Sequence, residues 1–184
     1  MTPPAEGGPA PLVDVLIEAP EWESLDLAGL AERAGRAVLA RLGLPAEGFE
    51  ICVLAGSDVR IAGLNADFRG KPQPTNVLSW PAEERGAAVE GARPAPPVPG
   101  RPEDPEALGD IALAHGVCAA EAAAAGRPLA DHVTHLIVHG TLHLLGYDHQ
   151  RDGDAAVMEG LEVEILASMG LPDPYEDPAT VRIA

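Results

Sequence analysis

The run Val138-His139-Gly140-Thr141-Leu142-His143-Leu144-Leu145-Gly146-Tyr147-Asp148-His149 limits what this chain can fold into more than any other stretch. His139 and His143 stand four residues apart within Leu129 to Leu145, a segment of helical periodicity. Both imidazoles therefore leave one helix face, about 6 Å apart along the axis. From there two ring nitrogens converge on one ion at metal–nitrogen distances near ~2.1 Å. Gly146 is placed to end the helix and to take the left-handed conformation that reverses the chain, which returns His149 to the same point. The expectation is one zinc ion held by His139, His143 and His149. Three neutral imidazoles leave a fourth position open, the mark of a catalytic rather than a structural zinc. His135 lies eight residues before His143, about 12 Å along the helix, so the two cannot share an ion. His132, His135 and His115 are read as structural or solvent-facing.

The spacing is also that of the long zincin motif His-Glu-x-x-His-x-x-Gly-x-x-His, with Gly140 in the glutamate's place. In those peptidases the glutamate takes the proton from metal-bound water. A peptidase built on this chain would have to recruit another base, such as Asp148 or Asp110. No nucleophilic Ser or Cys arrangement is visible, and Cys118, in an Ala-rich helix, reads as packed core.

Four strands and five helices surround this feature. Leu12 to Ile17, Phe49 to Leu54, Asn76 to Trp80 and Leu108 to Leu113 read as strands. Ser24 or Asp26 caps a helix through Leu27 and Leu42, and Ser57 caps a shorter one through Phe68. An Ala-rich helix from Gly116 to Ala125, the histidine helix, and a last helix from Asp152 to Met169 follow. Residues 82–107 are rich in proline and cannot form a helix or a central strand. They are expected to be a flexible insert with little function, within a single domain spanning 1–184.

Charge narrows the partners. The chain of 184 residues carries a formal net charge of −17, which opposes broad attraction to nucleic acid. Only residues 57–81 sum to a positive value, with Arg60, Arg69 and Lys71 against Asp58 and Asp67. Two cysteines, no basic leader at Met1 to Ala10 and no long apolar run predict a cytoplasmic protein with no membrane contact.

Three blocks together resemble the bacterial YbeY family. They are His139 to His149 as quoted, Leu64-Asn65-Ala66-Asp67-Phe68-Arg69-Gly70-Lys71-Pro72-Gln73-Pro74-Thr75-Asn76-Val77-Leu78-Ser79-Trp80-Pro81, and Leu108-Gly109-Asp110-Ile111. The resemblance runs from about Leu12 to Met169. Trp80 stands where phenylalanine is common, His115 where proline is frequent, and the Pro-rich insert is longer than the family needs. The resemblance implies an α+β fold, a small mixed four-stranded sheet with helices packed around it and a zincin-like metal helix. It implies a metal-dependent endoribonuclease of ribosomal RNA maturation and ribosome quality control. It makes His139, His143 and His149 the zinc ligands and Arg69 the functional arginine.

The catalytic set expected on this basis is Arg69, His139 and His143, with Arg69 and Lys71 binding substrate. Arg69 can hold phosphate oxygens bidentately and keeps its charge at any working pH. Asp148 can orient a histidine or cap its own turn. Asn76 and Ser79 can line the groove or face solvent. The substrate is expected to be single-stranded RNA at the 16S rRNA 3′ end, and the partners the small ribosomal subunit and a ribosomal protein. Two other readings remain: a metallopeptidase with a non-standard base, and a non-catalytic ribosome assembly factor stapled by zinc.

Overall fold

The protein is described here by a computed structural model covering residues 8–176; residues 1–7, part of the stretch read as lacking a leader, and residues 177–184 lie outside it. Runs of branched residues form β1 (Val13–Ile17), β2 (Phe49–Gly56), β3 (Val77–Pro81) and β4 (Glu106–Ala114). They lie in the order β1-β2-β4-β3. β1 pairs parallel with β2 and β2 parallel with β4, while β3 runs antiparallel to β4. The strands read from the sequence are the strands observed, in the mixed sheet expected, with ends displaced by one or two residues.

Parallel neighbours cannot be joined by a hairpin, so a helix must cross between them. That helix is α1 (Leu27–Arg41) between β1 and β2, followed after β2 by α2 (Asp58–Arg69). Asp26, not Ser24, caps α1, accepting the Gly29 N–H at 3.1 Å; Ser57 caps α2, accepting the Arg60 N–H at 3.2 Å. Removing either cap costs about 1 kcal/mol. The remaining helices are α3 (His115–Ala124), α4 (Leu129–Leu144) and α5 (Asp152–Ser168). A short 3₁₀ turn at Pro20–Ser24, absent from the sequence reading, buries Trp22, whose Nε1 donates to the Gly56 carbonyl at 3.0 Å.

α4 is the central element. Val133, Leu136, Ile137, Val138, Leu142 and Leu144 are all buried, as a helix apolar on every side must be. It packs on β3 and β4 and is flanked by α1, α3 and α5. Truncating Leu136 to alanine would cost roughly 2–5 kcal/mol by the cavity it leaves. Gly140 is where α4 meets the sheet: a Cβ there would stand 3.0 Å from Ile111 Cδ1. The position that holds a glutamate in zincins is here a close helix–strand contact.

The opposite face of the sheet is covered in part by α2, through Ile61 against Leu78, Ala112 and Ala114. The uncovered part is an apolar groove of about 530 Å³ among Leu16, Leu54, Phe68 and Trp80, and Asp110 opens onto it. Residues 82–105 form no strand or helix beyond an isolated bridge, Arg101 to Asp104. They are tied to the body by the Gly91 N–H to Asp154 (2.8 Å), the Gly153 N–H to Glu90 (2.9 Å) and the Gly100 N–H to the Gly48 carbonyl (2.9 Å). Among the described residues no helix is long and apolar enough to cross a membrane.

Candidate metal centre

The end of α4 makes the turn that the motif demands. Gly146 has φ +96°, the Tyr147 N–H reaches the Leu142 carbonyl at 3.1 Å, and the Gly146 N–H reaches the His143 carbonyl at 3.0 Å. These two bonds are the paired closure of a Schellman end, which satisfies carbonyls the last helical turn leaves over. The reversal brings His149 back beside the helix. Ring centroids then lie 4.5 Å apart for His139 and His143, 5.3 Å for His139 and His149, and 5.1 Å for His143 and His149. One nitrogen from each ring falls within 4.8 Å of the other two.

The hydrogen bonds around this trio decide which nitrogens point inward. His139 Nδ1 lies 2.7 Å from Glu162 Oε1, and His143 Nδ1 lies 2.9 Å from the Tyr147 carbonyl. Both partners only accept, so both Nδ1 atoms carry the proton and both Nε2 atoms carry lone pairs. Those Nε2 atoms face each other at 3.0 Å. Two lone pairs at that separation repel unless a cation lies between them. Two nitrogens on one tetrahedral ion at ~2.1 Å stand about 3.4 Å apart, close to what is seen. The donor set and its tautomers therefore fit a divalent metal. Burial, then the neighbouring His139 and His149, push His143 down to about 4, so this ring is neutral at physiological pH.

Glu162 was missed by the sequence reading. It is fully buried and accepts from His139 Nδ1, from His135 Nε2 at 3.2 Å and from the Tyr175 hydroxyl. Burial opposes its charge, but the hydrogen bonds from His135 and His139 prevail and hold its carboxyl at about 2. A signal was present. Met158, Leu161, Ile165 and Leu166 are the buried positions of α5 at helical spacing, and Glu162 sits among them. A carboxylate in such a stripe needs partners.

The other histidines are structural rather than solvent-facing, His132 and His135 buried and His115 half-buried. His135 shares Glu162, and His132 pairs with Glu121 at 2.8 Å. His115 meets Trp22 edge-on, with centroids 4.9 Å apart. Asn76 does not line the cleft: it is buried and its Nδ2 donates to Glu121. Cys118 is buried, and burial raises its thiol well above the usual range. Asp148 accepts the backbone N–H of His149 at 2.7 Å, so its hydrogen bond shapes the loop and not an imidazole. Asp110 faces the groove on the far side of the sheet. Asp110 is therefore not placed as the base a peptidase would need, whereas Asp148 lines the same cavity as His143 and His149.

His143 and His149 open into a cleft of about 590 Å³, which Arg69, Lys71 and Ser79 also line. Arg69 ends α2, and Gly70, with φ +67°, turns the chain toward Lys71. Asn65 holds this turn, donating from Nδ2 to the Gln73 carbonyl at 2.8 Å. The basic block and the histidine motif, about seventy residues apart in the chain, thus share one cavity.

Residues 17–170 match the model of the endoribonuclease YbeY family. The chain belongs to that family. The protein named Endoribonuclease YbeY in Dinoroseobacter shibae is 60% identical over 166 residues, covering 90% of this chain and 91% of the relative. Its counterpart in Cereibacter sphaeroides is 58% identical over 165 residues, covering 90% and 99%. The solution structure of TM1509 from Thermotoga maritima superposes with a TM-score of 0.51 at 21% identity, over 90% of this chain and 97% of that one. That likeness speaks to the fold. YbeY membership bears out the resemblance carried by the three sequence blocks.

Proposed function

We propose that the chain is a zinc-dependent, single-strand-specific endoribonuclease, a hydrolase that cuts RNA, acting in ribosomal RNA maturation at the 16S rRNA 3′ end and in ribosome quality control. The observation that carries this reading is the shared cleft: Arg69 and Lys71 line the same cavity as His143 and His149. Its partners are ribosomal RNA, the small ribosomal subunit and a ribosomal protein, and its location is the cytoplasm.

His139, His143 and His149 hold one zinc ion, and Glu162 and the Tyr147 carbonyl keep the first two rings oriented. When bound, zinc supplies Lewis-acid polarisation and a water of lowered pKa. Arg69 grips the phosphate with its planar fork and balances the charge that develops there. Lys71 adds a point charge on the same wall. Arg69 and Lys71 are exposed and form no ion pair with a carboxylate among the described residues, so nothing must be displaced before a phosphate binds. The net charge of −17 keeps unspecific RNA away and leaves recognition to this cleft and to the docked partner.

The acidity also favours a second reading, an assembly factor without catalysis. One experiment separates the two. Labelled RNA with the small-subunit 3′ region is incubated with zinc-loaded protein, with and without chelator, beside His143→Ala. Cleavage that the chelator stops and the variant lacks is expected. Fully metallated protein that cuts neither this RNA nor small subunits would overturn the enzyme reading.

A further inference from the structure

The cleft holds a third cation that neither the histidine motif nor the basic block points to. Arg85 follows β3 by four residues and lines the same cavity as Arg69, Lys71, His143 and His149. Its side chain is only 11% exposed. Nη1 donates to Glu83 at 2.9 Å, while Nη2 stands 3.8 Å from the Glu106 carboxylate, beyond hydrogen-bond reach. Nε and Nη2 are buried with no acceptor. These two nitrogens form the side edge of the guanidinium, the edge that grips two oxygens of one phosphate. Buried donors are satisfied as a rule, and an arginine cannot shed its charge to escape the requirement.

We infer that Arg85 is a second phosphate-binding residue of the cleft, holding an RNA phosphodiester on its Nε/Nη2 edge. The inference rests on the endoribonuclease reading of this cavity and extends it to a longer stretch of substrate. Arg69 and Lys71 precede β3 and Arg85 follows it. The strand's five residues span about 13 Å, and on this inference Arg85 serves a different phosphate from the one at Arg69. Its position relative to the histidines is also set, because a Cβ at Gly146 would come within 2.6 Å of the Arg85 carbonyl oxygen. The backbone of Arg85 thus lies against the loop that delivers His149.

Four carboxylates stand near. Glu84 and Asp148 line the cleft, and Glu83 and Glu106 flank the guanidinium. Glu83 is 63% exposed and Glu106 41% exposed, so their hold is that of surface ion pairs, which is weak. Neither accepts a hydrogen bond from the Nε/Nη2 edge. A phosphate on that edge displaces no carboxylate and leaves Glu83 on Nη1, and because Nε and Nη2 are closed to solvent the guanidinium must turn toward the cleft to meet it.

The test compares zinc-loaded wild type, Arg69→Ala, Arg85→Met and Arg85→Lys. Binding of a labelled single-stranded 2′-O-methyl RNA is followed by anisotropy across a salt series, with cleavage rates, metal content and melting temperature measured alongside. Methionine keeps the buried stem of Arg85 and removes its charge. Arg85→Met is expected to weaken binding about five- to tenfold and to lower the salt slope by about one, with metal content intact. Arg85→Lys, which keeps stem and charge, is expected to retain the slope. If Arg69→Ala lowers the slope and Arg85→Met does not, this inference falls and the enzyme reading stands. It falls in the same way if Arg85→Met loses metal or stability and Arg85→Lys binds no better. If wild type neither binds nor cuts, the enzyme reading falls and takes this inference with it.

Discussion

On the floor of the cleft His143, with the 3%-exposed His139 packed against it, is hydrogen-bonded through Nδ1 as His139 is, whereas Arg69 and Lys71 on the cleft wall are exposed and unpaired with carboxylates among the described residues. The difference matches what each region would hold on the proposed reading. A metal ion accepts ligands only at narrow distances, so its imidazoles must be set in tautomer and direction beforehand. A phosphate brings its own charge and can be met by flexible cations. Burying such cations in advance is costly, a cost that Arg85 of the same cleft carries at its Nε and Nη2. Preset floor and hydrated wall are two answers to the same question of when an interaction should form.

Acid should attack the floor first. With metal removed, His143 sits at about 4 in the folded chain against about 6.5 in the unfolded one. Between those values the unfolded chain takes up the proton and the folded chain does not. Stability is therefore full above pH ~6.5 and falls as pH drops toward 4, by about 3 kcal/mol. Glu162, held at about 2, adds a loss of the same sign below its ordinary range. Urea midpoints at pH 7, 5.5 and 4.5 measure this, and a flat profile would break the contrast.

Glu162→Gln keeps the volume but not the charge, and it should weaken zinc binding roughly 10–100-fold in competition with a chelating dye. Arg69→Ala should leave zinc affinity alone, weaken RNA binding about tenfold at low salt and lower the salt slope by about one. A crossed result, with Arg69→Ala losing metal, would show that wall and floor are not separable. Tyr175→Phe removes one hydrogen bond to Glu162 and should lower zinc affinity by at most about fivefold, given that a net hydrogen bond is worth ~1 kcal/mol.

Local order explains what the sequence made readable. His139, His143, Gly146 and His149 lie within eleven residues, so helix geometry and one left-handed glycine suffice to bring them together. The four strands showed through their branched residues, and the caps through Asp26 and Ser57. The convergence of Arg69 with His143 had no local signature and came from family resemblance. The partners of His132 and His135 were hidden because Glu121 and Glu162 come from other helices. Arg85 was hidden within a segment whose prolines promised only irregular chain. What those residues touch is set by tertiary packing, which periodicity does not encode.

The bracing of the histidines also orders events in time. α4 can wind on its own within about a microsecond, since its hydrogen bonds are local. Its bracing cannot form so early. Glu162 arrives from a helix 23 residues beyond His139, and the Arg151 guanidinium reaches back 64 residues to the Ala87 carbonyl. Such distant closures come late in folding. A chain that has emerged from synthesis only as far as His149 holds all three imidazoles and lacks the carboxylate that orients the first. Tight metal binding at these imidazoles would therefore report that α5 has docked.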